Sequence, residues 1–307
     1  MENKSQNLVS VLINCRNSEK YIKECLDSVF NQSFKKFEVI IIDNQSKDST
    51  KIIIDSYKDN RIKYFKTKKS LDLGAARNYG LTKAKGSYIA FIDSDDIWRP
   101  TKLEELLSLF DKDTGLVYSD VLYFNDKKSF TLYKSRTSYS GNCFEKLILD
   151  YNLCLSSCIV SRDVINSNNI NFSKKLKINE AYDFFLRISL VSKLKFLNKT
   201  LVEYRIHGEN FSSKYQDLFY IENEQVINDL NQEFNINSEV LKNALNNNEL
   251  NKAVFYWKKN QISKAYIVLN NQNRLSLRVI IYFIIFSFPY KFINRIYRLI
   301  SPIKIEF

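Results

Sequence analysis

The chain has 307 residues, 45% hydrophobic and 26% charged, the balance of an ordinary folded protein with room for a sizeable buried core. Six glycines and three prolines exclude collagen-like and long disordered tracts. A net charge of +12 asks for an anionic partner, whether nucleic acid, a membrane face or a phosphorylated substrate.

The apolar run Leu8 to Ile13 is too short for a secretory leader, and Asn14, Cys15 and Arg16 follow it. Cys15, Cys25, Cys143, Cys154 and Cys158 form no CxxC pair and no zinc spacing, and read as small core residues in a reducing, cytoplasmic setting. Val9 to Ile13 is a buried strand, followed by a helix that Ser18 caps and that carries Tyr21, Ile22, Cys25, Leu26, Val29 and Phe30 at helical spacing. A second strand spans Phe37 to Ile42 and ends at Asp43. A helix over Ser49 to Tyr57 leads to a third strand, Arg61 to Phe65. Gly74 to Lys85 reads as a helix closed by Gly86, and Ser87 to Ile92 as a fourth strand ending at Asp93. Strands alternating with helices predict an α/β, largely parallel, doubly wound sheet. Asn14, Asp43 and Asp93 then lie at the carboxyl ends of the strands, where such sheets bind ligands. Pro100 to Phe110 is a helix, Leu116 to Phe124 a strand, Asn125 to Lys128 a turn, and Ser156 to Val160 another strand. Glu180 to Ser192 is a helix, Lys195 to Arg205 a strand, and from Tyr215 the pattern is helical throughout.

Asp93-Ser94-Asp95-Asp96 places three carboxylates in four residues, an arrangement that repels itself unless a cation or solvent relieves it. Hard divalent cations take such oxygen ligands, and one held there would bridge a diphosphate. The plainer reading is a solvated acidic turn before the Pro100 helix.

Seven segments, each weak alone, occur in one order. They are Val9-Ser10-Val11-Leu12-Ile13 with Asn17, Glu24-Cys25-Leu26-Asp27-Ser28-Val29 with Gln32-Ser33, and Ile41-Ile42-Asp43-Asn44-Gln45-Ser46-Lys47-Asp48-Ser49. Gly74-Ala75-Ala76-Arg77-Asn78-Tyr79-Gly80 and Gly86-Ser87-Tyr88-Ile89-Ala90-Phe91-Ile92-Asp93-Ser94-Asp95-Asp96 follow. Tyr182-Asp183-Phe184-Phe185-Leu186-Arg187 and Tyr204-Arg205-Ile206-His207 complete the set. Together they resemble the family 2 glycosyltransferases, over roughly residues 8 to 213.

The resemblance implies a GT-A domain (Rossmann-like, of the nucleotide-diphospho-sugar transferase kind) over residues 1–213, with a helical C-terminal extension over 214–307. It implies a metal-dependent, inverting hexosyltransferase that uses Mn2+ or Mg2+. The donor would be a nucleotide-sugar, a UDP-sugar, and the acceptor a glycan or lipid-linked intermediate of surface polysaccharide synthesis. Asp93 would then bind the donor ribose or metal shell, Asp95 would ligate the metal, and His207, the only histidine, would contact metal or diphosphate. Asp43 and Asn44 would hold the base; Asn14, Arg16, Asn17, Arg77 and Ser94 complete the donor side.

Several positions depart from the family pattern. Asn44 stands where a second Asp is frequent, Asn14 where Pro is common, and Arg16 where an aromatic residue is common. Arg16 either stacks on a base or pairs with phosphate, or faces solvent. Arg77 either meets phosphate or packs its stem on the sheet. A lone histidine is also commonly structural. The general base is open: the family shows Glu-Asp before this helix, whereas this chain has Glu180-Ala181 and then Asp183. Glu180 is one residue from the usual place, and Asp183 is the other candidate unless it only caps the helix.

Two other readings remain. A sugar-phosphate nucleotidylyltransferase would need a glycine-rich loop after the first strand, and Asn14 to Ser18 contains no glycine. A non-catalytic membrane- or glycan-binding module on a degenerate transferase fold draws its support from Ala181. Nucleic-acid binding has no basic-aromatic recognition motif behind it. Oligomeric state is not readable. The tail Leu275 to Pro302 holds an apolar run shorter than the ~20 residues a span needs, then Pro289, Lys291, Arg295 and Arg298. From Arg274 on, six cations face one anion, Glu306. This reads either as an interfacial helix pair, peripheral on the inner face of the cell membrane, or as a core helix.

Overall fold

The computed structural model describes residues 8–134, 137–272 and 277–293. The chain divides into two compact units, Met1–Gln216 and Asp217–Phe307.

The first unit opens with β1 (Val9–Cys15), α1 (Ile22–Phe30), β2 (Phe37–Asp43), α2 (Thr50–Ser56), β3 (Ile62–Lys66), α3 (Leu73–Leu81) and β4 (Tyr88–Asp93). These strands lie parallel in the order β3-β2-β1-β4. β1 and β2 are covered on both faces, which is why they read as continuous apolar runs rather than alternating ones. On one face Val9, Val11 and Ile13 pack with Ile22, Cys25, Leu26 and Val29 of α1. On the other, a Cβ at Gly80 of α3 would lie 2.6 Å from the Leu12 side chain, so α3 sits directly on β1. The register pairs Asn14 with Asp93 and Cys15 with Asp43, bringing the carboxyl ends of three strands level.

The chain continues through β5 (Ile97–Trp98), α4 (Lys102–Leu107), β6 (Thr114–Phe124), β7 (Ser129–Thr131), α5 (Phe144–Leu149), β8 (Ile159–Ser161), α6 (Arg162–Ser167), α7 (Glu180–Val191), β9 (Lys193–Arg205) and α8 (Phe211–Lys214). The sheet extends as β4-β8-β6-β9-β5, with β7 on β6. Only β6 and β9 are parallel here; the other pairs are antiparallel. The expectation of a largely parallel sheet thus holds for the first half, and the second is mixed. Parallel neighbours need a long crossover, whereas β6 returns as β7 through a tight turn in which Asn125 Oδ1 accepts from Lys127 and Lys128 N–H, both at 2.9 Å. The predicted helix to Lys85 stops at Leu81, because Lys85 and Gly86 N–H turn to the Ser10 hydroxyl at 3.1 and 2.8 Å. Above the α3 face of the sheet, Phe91 meets Phe172, Phe184 and Phe185, and Phe172 stacks on Phe184 at 3.9 Å.

The second unit is helical, with nearly all of α9 (Gln216–Phe234), then α10 (Ser238–Lys258), α11 (Ile262–Asn270) and α12 (Leu277–Phe286). Asn237 caps α10 by accepting from Glu239 and Val240 N–H. Leu250, Ala253, Trp257, Ala265, Leu269, Val279 and Phe286 form its core. Helical turns resume at 290–293, after Pro289. Of the charged tail positions, Arg274, Arg295, Arg298, Lys304 and Glu306 lie outside the described residues.

Candidate active site

The acidic turn leaves the end of β4 and closes on itself, with Asp96 N–H donating to Asp93 C=O at 3.1 Å. Its three carboxylates point to three different sets of partners. Asp93 Oδ1 accepts from Arg77 Nη2 at 3.1 Å. Asp95 Oδ2 lies 2.9 Å from His207 Nε2 and 3.4 Å from Asn210 Nδ2. Asp96 is fully buried and accepts from the Ser156 hydroxyl at 2.5 Å and Arg205 N–H at 3.1 Å. Burial, and next the Asp93 charge, push the Asp95 carboxyl above its ordinary range, while His207 pulls it back. Burial, then Asp95 and Asp93, push Asp96 well up.

His207 comes from the loop after β9, 112 residues from Asp95. Its ring lies 4.9 Å from that of Tyr21, and Nδ1 accepts from Glu209 N–H at 3.3 Å. With Nδ1 accepting, the neutral ring carries its proton on Nε2, aimed at Asp95. Arg205 supports the same turn: Nε donates to Asp95 C=O at 3.1 Å, Nη2 pairs with Glu24, and the guanidinium lies 4.7 Å from the Tyr21 ring.

A carboxylate oxygen and an imidazole nitrogen suit Mn2+ or Mg2+, which keep water and phosphate oxygens in their other positions. No cluster of three or more His, Cys, Asp or Glu able to hold a metal occurs among the described residues.

The loops beside this turn are tied together. Ser94 and Ser18 hydroxyls meet at 2.8 Å. Asn17, at φ 52, receives Lys47 N–H at 2.9 Å on its side chain and gives its own N–H to Ser46 Oγ at 2.9 Å. The left-handed backbone there is one that Asn tolerates better than most residues. Asp43 is fully buried and accepts from Ser46 N–H at 2.7 Å and the Tyr64 hydroxyl at 2.6 Å. Asn44 grips Leu71, donating to its C=O and accepting from its N–H, both at 2.8 Å. Both residues expected to hold a base are therefore bonded within the protein and shape the loop leading to α3. Arg16 is exposed and reaches that loop, with Nη1 donating to Ser70 Oγ at 3.0 Å. Asn14 differs: both ends of its side-chain amide are buried without a hydrogen-bond partner, beside Asp93 in the sheet. The Asn14 amide therefore keeps unused hydrogen-bonding capacity next to Asp93.

Arg77, only 4% exposed, bridges Asp93 and Glu180 with its two terminal nitrogens. Gly74 makes this possible, since a Cβ there would lie 2.2 Å from Ser173 C=O and would push α3 away from the start of α7. Glu180, 1% exposed, is thereby joined to the acidic turn, whereas Asp183 pairs with Arg187 Nε at 2.8 Å along its own helix. Ser156, Arg205, Asn210 and Tyr21 hold the turn in place, and nothing in their spacing singles them out; Arg205 alone falls in a segment quoted above, as the neighbour of His207.

The family model for glycosyl transferase family 2 matches residues 10–184. A relative from Escherichia coli, named as the UDP-Glc:alpha-D-GlcNAc-diphosphoundecaprenol beta-1,3-glucosyltransferase WfaP, is 30% identical over 215 residues, covering 69% of this chain and 82% of its own length. Among solved structures, residues 1–349 of S. aureus TarS in complex with UDP-GlcNAc align with a TM-score of 0.69 at 22% identity, over 85% of this chain and 78% of that one. The mannosyltransferase PcManGT from Pyrobaculum calidifontis, in complex with GDP-Man and Mn2+, aligns with a TM-score of 0.60 at 14% identity, over 92% and 79%. At such identities these two structures speak for the fold alone. The fold is GT-A-like with a helical C-terminal region, and with a family model covering more than half of its length, the chain belongs to glycosyl transferase family 2.

Proposed function

We propose that this chain is an inverting hexosyltransferase moving a sugar from a UDP-sugar, with Mn2+ or Mg2+, to a lipid-linked or glycan acceptor in surface polysaccharide synthesis. The observation that carries this reading is the Asp95–His207 pair, 2.9 Å apart beyond the carboxyl ends of parallel strands. The lipid-linked acceptor and UDP donor draw support from the name of the E. coli relative, and the cation from the Mn2+ in the archaeal neighbour's title.

In this mechanism Asp95 and His207 hold the cation, which when bound neutralises charge on the departing diphosphate. Asn14 and the loop built by Arg16, Asn17, Asp43 and Asn44 hold the nucleoside. Ser94 locks this loop to the acidic turn. Arg77 fixes Asp93 against the donor and Glu180 on the acceptor side. The acceptor hydroxyl oxygen attacks the anomeric carbon from the face opposite the diphosphate. The new C–O bond forms as the bond to the diphosphate breaks, and the nucleoside diphosphate leaves with that electron pair. The hydroxyl proton passes to Glu180, which must turn one oxygen from its buried position to the incoming hydroxyl. Asp183 steadies the start of α7 through Arg187. Glu180 is the better candidate of the two because it is the one joined to Asp93.

Nucleotide release should be measured across a panel of UDP-, GDP- and dTDP-sugars, with and without lipid-diphosphate-linked acceptors. Release from a UDP-sugar with cation present, increased by an acceptor, is the expected result. Binding without any release or transfer would favour the non-catalytic module instead.

A further inference from the structure

α12 is fixed in rotation by its own unit. Val279 and Phe286 are buried, Phe286 stacks on Trp257 with ring centres 5.1 Å apart, and Trp257 Nε1 donates to Phe288 C=O at 2.8 Å. The Tyr266 hydroxyl reaches Phe283 C=O at 3.2 Å. With that face committed, Ile280, Ile284, Phe288 and Phe292 remain 43%, 61%, 44% and 51% exposed, and Ile281 44%. Ile280, Ile281 and Ile284 lie on one side of α12, and beyond its end Phe288 stacks on Phe292, so the exposed apolar side chains extend past Pro289 into the next helical turn. So many large apolar side chains left in one row mark an interaction surface rather than scattered surface hydrophobics.

The charge of the segment says what covers the stripe. From Asn251 to Phe307 the chain has ten Lys and Arg against one acid, Glu306, and so nine of its twelve net positive charges. Lys291, between Phe288 and Phe292, is exposed, and Lys258 Nζ lies 6.0 Å from the Tyr290 ring at the same end of the helix. Two copies meeting through this stripe would set cations against cations. An anionic surface of lipid headgroups over acyl chains accepts both the stripe and its charges. Ten helical residues reach only ~15 Å, about half a hydrocarbon core, so the geometry is that of a helix lying on the surface. No helix among the described residues is long and apolar enough to cross a membrane.

We infer that the exposed stripe of α12, with the cations around it, docks this protein on an anionic lipid surface. The inference rests on the proposed function for its purpose, since a lipid-linked acceptor lies at such a surface, but the docking itself is measured without substrate. The full chain is floated with vesicles of phosphatidylcholine alone or with phosphatidylglycerol at about a third of the lipid. The expected result is binding to the anionic vesicles at least tenfold tighter than to neutral ones, and weaker at high salt. Ile284→Glu and Phe288→Glu should each weaken it about tenfold or more while melting temperature and nucleotide release in solution stay as in the parent. Equal flotation of parent and variants would overturn the inference. So would a dimer that Ile284→Glu dissociates, with no vesicle binding by the parent. A chain that docks but releases no nucleotide would leave the docking standing and refute the catalytic reading alone.

Discussion

The acidic turn of the first unit and the helix α12 of the second break the ordinary rules of burial in opposite ways. The turn draws its charged groups partly out of water, Asp96 wholly, and gives each a partner: Arg77 for Asp93, His207 for Asp95, Ser156 and Arg205 N–H for Asp96. α12 leaves large apolar groups in water beside a core that has room for only one of its faces. Folding alone explains neither arrangement. Buried carboxylates cost stability even when paired, and exposed Ile and Phe forgo the gain of burial. The lesson is that the two departures from burial fit the two different partners proposed above, a cation with its diphosphate at the turn and an extended anionic surface at the helix. Lys102 is a third departure and a useful control, because it is fully buried with no hydrogen-bond partner for Nζ, lies 4.0 Å from the Trp98 ring, and belongs to neither site.

The largest expected effect is at Glu180. Glu180→Gln keeps the shape and removes the proton acceptor, and should cut transfer to acceptor by ~10²–10⁴ while donor affinity changes little, read by sugar transfer and donor titration. If donor affinity and stability fall instead and transfer follows them, Glu180 only positions Arg77. Next is Arg77→Met, which leaves two carboxylates facing a gap. It should cost about 3–5 kcal/mol, read by denaturant unfolding, and no comparable loss should follow Ile284→Glu on the open stripe, where about 0.5 kcal/mol is the limit.

Lys102 gives a pH test of the contrast. Burial pushes its ammonium down to about 7 from 10.5, with Cys158 and Cys154 opposing. Between about pH 7 and 10.5 the unfolded chain therefore holds a proton that the folded chain has lost, so stability rises with pH across that window and the full penalty stands below it. Lys102→Met should abolish this rise and increase the melting temperature at pH 6. A flat profile in the parent would show that Lys102 finds a partner or water when charged. The smallest effect is expected at exposed Arg16, where Arg16→Ala should weaken donor binding less than tenfold, in keeping with an exposed side chain that reaches the Ser70 hydroxyl.

The parallel half of the sheet was legible because strands covered on both faces leave uninterrupted apolar runs, as in Val9 to Ile13 and Phe37 to Ile42. β5, two residues long, and β7, three, are too short to carry a period. The helical tail was legible as apolar and basic, yet which face of α12 lies open depends on where Trp257 and Tyr266 meet it. The site divides the same way. Its carboxylates and the lone histidine stood out by type and place in quoted segments. Their pairing spans 112 residues, and the resemblance, not spacing, suggested it. The Arg77 bridge was not legible, because it follows from the close approach at Gly74, and the sequence does not say which backbone that glycine admits.

The central claim is that Asp95 and His207 together hold the cation that a departing nucleoside diphosphate needs. It is tested most directly by nucleotide release from a UDP-sugar as a function of Mn2+, compared between the parent, Asp95→Asn and His207→Ala, with circular dichroism and melting to verify folding. The account predicts that chelator abolishes release by the parent, that Asp95→Asn loses at least about 10²-fold at any cation concentration, and that His207→Ala needs far more cation for half-maximal release. Release by the parent that chelator leaves unchanged, or folded Asp95→Asn protein turning over at the parent's rate, would contradict it.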